Sequence, residues 1–323
     1  MIYRFIIVVL MFIPLFVSCD ADFSPYAEFQ DKYSLTCLLR SDTTFQSAVL
    51  SHNYLPGQSD PNSYTSDPSI VGADIRVWYN DSVYVLSDSS EARTDTSRYT
   101  EPFRFYFNDE FNISTQEEIE IEVLLPNGRR LFASSVTPKD IIFSDESDVI
   151  VPPVNSDFVN FVWVANEPGA YYLPKFEIKY LQLVNGTTEL KTIEVPLKYI
   201  DQKGNLEPVY PEASNRTRVV YSMESITQTL EKISDGDPNK QDYTIFQSPL
   251  FNLLGFDAEL SRYASSTSRS LNDLTVTLNT ADYTNIQGGF GIFGSYIKKN
   301  YSPIKFQQNF IESFGYNFVF NGD

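Results

Sequence analysis

The chain has 323 residues, with 42 Asp and Glu against 24 Lys and Arg, a formal net charge of -18 and a pI near 4.4. So acidic a balance argues against nucleic-acid binding, which needs a basic face to neutralise phosphates, and against contact with anionic lipid headgroups through the protein surface. Aromatic residues make up 15% of the chain, with 25 Phe and 21 Tyr, a content that favours strands over helices.

Arg4 precedes a continuous apolar run over residues 5–16 (FIIVVLMFIPLF), which ends in Val17, Ser18 and Cys19. The run is shorter than the about 20 residues a spanning helix needs. Its order, charge then apolar then small, is that of a secretory signal rather than of an anchor, with an uncleaved anchor or a simple secreted protein as the alternative. The ending resembles the lipobox of bacterial lipoproteins, in which a signal peptidase cuts before a diacylated cysteine. Phe16 stands where Leu is usual, with Leu15 one place early. The expectation is a lipoprotein signal peptide over residues 1–18, lipidation of Cys19, and acyl chains that hold the protein on a membrane. Loss of Arg4 takes the net charge from -18 to -19. Cys37 then has no partner for a disulfide, and its strand-like setting predicts a buried, inert thiol.

Residues 19–31 are short and polar and read as a tether; Asp20 and Asp22 form a brief acidic stretch of the kind that sorts some lipoproteins to the cell surface. From residue 32 to 138 the pattern is β. Residues 32–40 and 45–51 are apolar-rich runs around a turn-type cluster at 41–44, and 55–68 is a loop rich in Pro, Ser, Asp and Asn. Residues 73–79 alternate and turn through Asn80-Asp81 into 82–86, a hairpin by spacing. Residues 103–107 form an aromatic strand. Residues 118–123 (EIEIEV) alternate strictly, acids to water and aliphatics to the core. Pro126-Asn127-Gly128 turns the chain into a returning strand at 129–135. Turns at this spacing predict a sandwich. Residues 139–156 carry acids and Pro152-Pro153 and read as an extended linker.

The second domain is expected over 157–323. Residues 158–163, 171–184 and 190–197 read as strands. Ile226, Leu230 and Ile233 have helical spacing, which predicts a helix near 223–234 with Gly236 just past its end. Residues 271–280 read as a strand, and 288–294 (GGFGIFG) as a glycine-rich strand before further strand-like runs to Phe320.

Several segments in this order resemble an uncharacterised bacterial lipoprotein family, defined by a domain of unknown function and found beside TonB-dependent outer-membrane receptors. They are the lipobox at Cys19, the strand and turn over 35–51, the strand over 72–77, the turn at 125–128 with Val136-Thr137-Pro138, and the stretch 285–294. The resemblance covers nearly the whole chain. It implies a mainly β protein: an N-terminal sandwich like the transthyretin-type regulatory module of carboxypeptidases, then a fibronectin-like, immunoglobulin-type sandwich with a helical insert. It implies no known reaction, and an association with a TonB-dependent receptor.

No stretch carries a catalytic or cofactor motif. A Ser-His-Asp triad could use only His52, and no Gly-x-Ser-x-Gly elbow exists. Asp235, Asp237 and Asn239 match the first ligand positions of a calcium loop, but Lys240 stands where that loop needs Gly and Phe246 where it needs Glu, so a helix stop and turn is preferred. Residues 145–148 read as solvated charge. Glu117, Glu118, Glu120 and Glu122 read as one solvated strand face rather than facing catalytic acids. Asp42-Thr43-Thr44 and Asp81-Ser82-Val83 resemble bacterial O-glycosylation acceptors. The run at Gly288, Gly289, Phe290, Gly291 and Phe293 lacks the Lys-Ser/Thr of a phosphate loop. Its glycines mark either a bulge with close backbone approach, the commoner use, or a contact for a partner or ligand.

The expected function is therefore non-enzymatic, with no cofactor assigned: a lipid-anchored, extracytoplasmic outer-membrane or cell-surface protein that docks to a TonB-dependent transporter in nutrient uptake. The alternatives are a free-standing carbohydrate- or peptide-binding lipoprotein and a surface adhesin.

Overall fold

A computed structural model describes residues 31–53, 65–165, 167–202, 205–270 and 283–320. The protein is mainly β, built around one mixed sheet of thirteen strands. The expected signal peptide, Cys19, most of the tether and the strand expected at 271–280 lie outside the described residues.

The N-terminal half contains β1 (Tyr33–Arg40), β2 (Gln46–His52), β3 (Asp74–Tyr79), β4 (Ser82–Glu91), β5 (Phe103–Asn108), β6 (Glu118–Leu124) and β7 (Arg130–Val136). Strand β6 shows why they form: Ile119, Ile121 and Val123 are buried while Glu118 and Glu120 stay in water. The strand order is β1-β2-β5-β4-β3-β6-β7. Strand β4 pairs with β3 through its first residues and with β5 through Ser87 to Glu91. It thus passes from one group of strands to the other, giving a sandwich-like wrap around a core that includes Leu35, Cys37, Leu50, Ile75, Val77, Leu131 and Phe293.

The C-terminal half contains β8 (Ile142–Phe143), β9 (Ile150–Val151), β10 (Phe158–Val164), β11 (Tyr172–Val184), β12 (Thr187–Glu194), β13 (Lys198–Gln202), β14 (Asn205–Val209), β15 (Arg218–Ser222), α1 (Met223–Ser234), β16 (Tyr243–Phe246), β17 (Leu250–Phe256), α2 (Ala258–Ser270), β18 (Phe290–Tyr301), β19 (Lys305–Phe306), α3 (Gln308–Glu312) and β20 (Asn317–Val319). The large sheet continues as β20-β16-β11-β17-β18, and a small sheet, β15-β10-β8, shares a second core with it. There Phe161 of β10 stacks on Phe251 of β17 with centroids 3.6 Å apart. Helix α1 lies where the spacing places it: Ser222 caps it by accepting from the Ser225 N–H, Ile226, Leu230 and Ile233 are buried, and Asp235 ends it in the left-handed region.

The sequence reading places no strand at β13 to β17, and two further features differ from it. The stretch 139–156, expected to be a solvated linker, supplies β8 and β9 and sends Ile141 and Val151 fully into the second core. Asp140, Asp145 and Glu146 face out while these two aliphatics face in, so charge density alone misreads it. Helix α2 was not expected, because its sequence (AELSRYASSTSRS) is rich in Ser and lacks a sustained apolar period. Among the described residues no helix is long and apolar enough to cross a membrane.

The halves meet at β18. Its residues Phe290 to Tyr296 pair in parallel with Ser34 to Arg40 of β1, and Tyr296 to Tyr301 pair antiparallel with β17 on the opposite edge. Asp257, between β17 and α2, fastens this joint. Its N–H donates to the Ser295 carbonyl (3.0 Å). Its Oδ1 accepts from the Leu260 N–H (2.7 Å) at the start of α2. Its Oδ2 accepts from the Ser295 N–H (2.6 Å), the Ser295 hydroxyl (2.9 Å) and the Ser135 hydroxyl of β7 (2.8 Å). Burial pushes the carboxyl up to about 6 despite these donors.

Because the folded-state value lies above the ordinary 3.8, this carboxyl favours folding fully below about pH 4, and the contribution is lost as pH rises through about 6. In urea titrations the stability of the wild type relative to Asp257→Asn, which cannot ionise, should fall by on the order of 3 kcal/mol between about pH 4 and 7. A difference that stays constant over that range would contradict the assignment.

Candidate functional site

The glycine run at the start of β18 is a close-packing device. A Cβ on Gly291, whose φ is +106°, would fall 2.0 Å from the Leu35 carbonyl oxygen of β1. At Gly289 it would meet the Tyr33 carbonyl oxygen at 2.7 Å, and at Gly288 the Arg130 carbonyl oxygen at 2.5 Å. The run thus threads between β1 and β7, where Gln287 and Phe132 exchange two backbone hydrogen bonds. Phe290 is 47% exposed and lies under the Lys32 ammonium, 5.1 Å from its ring centroid. Phe293 is fully buried in the first core, and both its N–H and carbonyl are held by the Asn285 amide at 2.9 and 2.6 Å. As a contact for an outside partner Phe293 is therefore corrected: β18 turns it inward, and of the run only Phe290 offers a ring to solvent.

The other singled-out residues are apart from one another. His52 Nδ1 is 2.6 Å from the Asn53 carbonyl at the end of β2. Cys37 is buried, and desolvation pushes its thiol up to about 12, which suits an inert core residue. Asp237 accepts from the Asn239 N–H (2.8 Å) and the Tyr243 hydroxyl (3.1 Å), so its carboxylate closes the turn after α1. Among the described residues no group of three His, Cys, Asp or Glu is placed to hold a metal. Glu118, Glu120 and Glu122 share the outer face of β6, where Glu122 pairs with Arg130 at 3.0 Å. Asp148 is turned toward β10 and accepts from the Asn160 N–H (2.7 Å).

Two surface features were not singled out in the sequence. The first is an aromatic ladder on the outer face of the N-terminal half. In β5, Phe103, Phe105 and Phe107 point out while Tyr106 points in, where its hydroxyl donates to the Ile70 carbonyl (2.9 Å) and accepts from the Ala73 N–H (3.1 Å). Phe45, just before β2, stacks on Phe107 at 5.4 Å and meets Phe105 at 6.4 Å. Phe105 in turn lies 6.0 Å from Phe103 and 6.1 Å from Phe107. Phe45 is 41% and Phe103 37% exposed. Serines neighbour the row: Ser47 of β2 and Ser87 of β4 both lie opposite Phe107. The Arg93 guanidinium, paired with Asp67, covers the Phe103 ring at 5.4 Å. The signal was the alternation F-R-F-Y-F, but which face is wet depends on the anchoring of Tyr106.

The second is a cleft of about 1020 Å³ in the C-terminal half. It is lined by Trp163 at the end of β10, Tyr171, Pro174 and Leu197 together with the chain from Val209 to Val220, which carries Arg216 and Arg218. Trp163 is 3% exposed, and its indole N–H has no hydrogen-bond partner among the described residues; the Tyr221 hydroxyl is in the same position. Burial, then the charge of Glu194, pushes the Tyr221 hydroxyl up. Each such buried group costs about 1–3 kcal/mol until an acceptor or donor reaches it.

No protein-family model matches the chain, and no curated protein matches it.

The glycine run gives a direct contrast. Gly291→Ala should lower the unfolding free energy by about 3 kcal/mol or more, because a carbonyl of β1 occupies the space a methyl needs. Phe290→Ala should change it by less than about 1 kcal/mol, the scale of an exposed cation–ring contact. Denaturant midpoints of the two variants test this, and equal losses would contradict it.

Proposed function

We propose that the mature chain is a lipid-anchored protein of the outer membrane that works by binding rather than by catalysis, docking onto a TonB-dependent transporter in nutrient uptake. The anchor would be acyl chains on Cys19, which stop the chain from leaving the membrane. The acidic body would keep its own surface off anionic headgroups, so the face it turns outward is free for protein contact. In this reading the seven N-terminal strands form a transthyretin-type sandwich and the remainder a fibronectin-like one. The resemblance to a lipoprotein family found beside such transporters supplies the partner.

The observation that carries the docking reading is the ladder of Phe45, Phe103, Phe105 and Phe107. Apolar rings gathered in stacked and tilted contacts on an outward sheet face are costly in water, and large exposed apolar patches mark interaction sites. Rigid aromatics are also where interface binding energy concentrates. Phe45 directly precedes β2, whose Gln46 to Ala48 pair in register with Tyr106 to Asn108 of β5, so the surface is formed before the partner arrives and little ordering is lost on docking. A free-standing binder is the second reading, favoured by the cleft beside Trp163.

The test is to extract the lipidated protein from native membranes in mild detergent and identify what accompanies it. A TonB-dependent transporter at equal stoichiometry is expected, and Phe45→Glu with Phe107→Glu should reduce its recovery by about tenfold or more, with no change in membrane attachment. Recovery of the protein alone, or with copies of itself, would contradict the docking reading.

A further inference from the structure

We propose that the cleft beside β15 receives an extended peptide whose backbone adds as a strand to the free edge of β15, and that the peptide alternates apolar and acidic side chains. The inference rests on the C-terminal half alone and stands or falls separately from the transporter reading.

Among the described residues, strand β15 pairs with β10 on one edge only. The direction of its backbone groups follows from two hydrogen bonds that flank the ladder. Trp163 N–H donates to the Thr217 carbonyl (3.0 Å), and Met223 N–H donates to the Asp157 carbonyl (2.8 Å). In an antiparallel pair the bonded positions alternate, so Val219 and Tyr221 also face β10, and the N–H and C=O of Arg218 and Val220 face the opposite way. Both residues line the cleft. No hydrogen bond from the described residues reaches those backbone groups. An edge of this kind is the template for strand addition, and here a cleft lies along it.

Side-chain chemistry then selects the peptide. Successive residues of an added strand point to opposite faces. On the inner face Val219 is buried, and Trp163, Leu197 and Pro174 also line the cleft, so inward residues of the peptide meet apolar surface. On the outer face Arg218 is exposed and holds only a surface contact to Glu146 at 3.2 Å. Arg216, also exposed, forms no ion pair among the described residues. In a chain of net charge -18, the cleft lining carries two arginines against one carboxylate, Glu212, and so favours acidic groups on the peptide's outward positions.

The experiment uses the whole mature chain with Trp78→Phe, which leaves Trp163 as the only tryptophan. The probe is a capped heptapeptide, Glu-Val-Glu-Phe-Glu-Val-Glu, titrated while the Trp163 emission is followed and checked by calorimetry. A saturable change is expected. Two further peptides carry N-methyl groups on alternate residues, one set for each edge of the strand. Strand addition requires that one set weakens binding by about tenfold or more while the other changes it by less than about twofold, because only one edge bonds to β15. The lysine counterpart of the peptide, and Arg216→Glu in the protein, should each weaken binding by about tenfold. No saturable change at millimolar peptide would overturn the proposal. Equal binding of the two N-methylated peptides would overturn it as well, since the cleft would then hold its ligand by side chains alone.

Discussion

The parallel ladder between β1 and β18 is the contact on which the rest of the structure depends. Seven residues of each strand are in register, from Ser34 with Phe290 to Arg40 with Tyr296. The glycine run makes the approach possible, since Gly291 leaves no side chain between the β1 carbonyls and β18. Beyond Tyr296 the same strand pairs with β17 on its other edge. One strand therefore belongs to both cores: Phe293 enters the first and Ile297 and Tyr301 the second. Asp257 adds a polar clamp at the crossing, tying β18 to β7 and to the first turn of α2. Its partners lie far apart in the chain, so the entropy of loop closure weighs against the contacts it gains.

That joint sets the relation between the two surfaces that bear on function. The aromatic ladder sits on β5 and the segment before β2, two strands from β1 or nearer in the sheet order. The cleft lies beside β15, which faces the large sheet across the second core. The ladder lies on the thirteen-stranded sheet and the cleft beside the separate three-stranded sheet β15-β10-β8. The ladder presents apolar area, and the cleft presents apolar area, a strand edge and arginine charge.

Local periodicity was legible in the sequence, and long-range pairing was not. The Glu-Ile alternation of β6 and the Ile226, Leu230, Ile233 spacing of α1 report directly on the faces those elements bury. The glycines of β18 announced close backbone approach, but not that the backbone approached would be β1, because a parallel partner so distant leaves no trace in local pattern. Helix α2 was invisible because its serines give no apolar stripe; it forms where Asp257 caps it and where Leu260 and Ser261 are buried against the joint. Ile141 and Val151 hid in an acidic, proline-bearing stretch. The cleft could not be read because its lining comes from four separated segments, and the ladder only half so, as the wet face of F-R-F-Y-F follows from the hydrogen bonds of Tyr106.

Native-state hydrogen exchange in increasing urea tests most directly whether β18 makes the two halves one cooperative unit. The amides of Leu35 and Cys37 in β1 and of Phe251 and Leu253 in β17 lie in the two cores. If the shared strand governs stability, both sets should exchange with the same opening free energy and the same dependence on urea, since neither half opens fully without breaking β18 away. Opening of one set at markedly lower free energy than the other would show that the halves unfold separately and that β18 is a contact rather than the keystone.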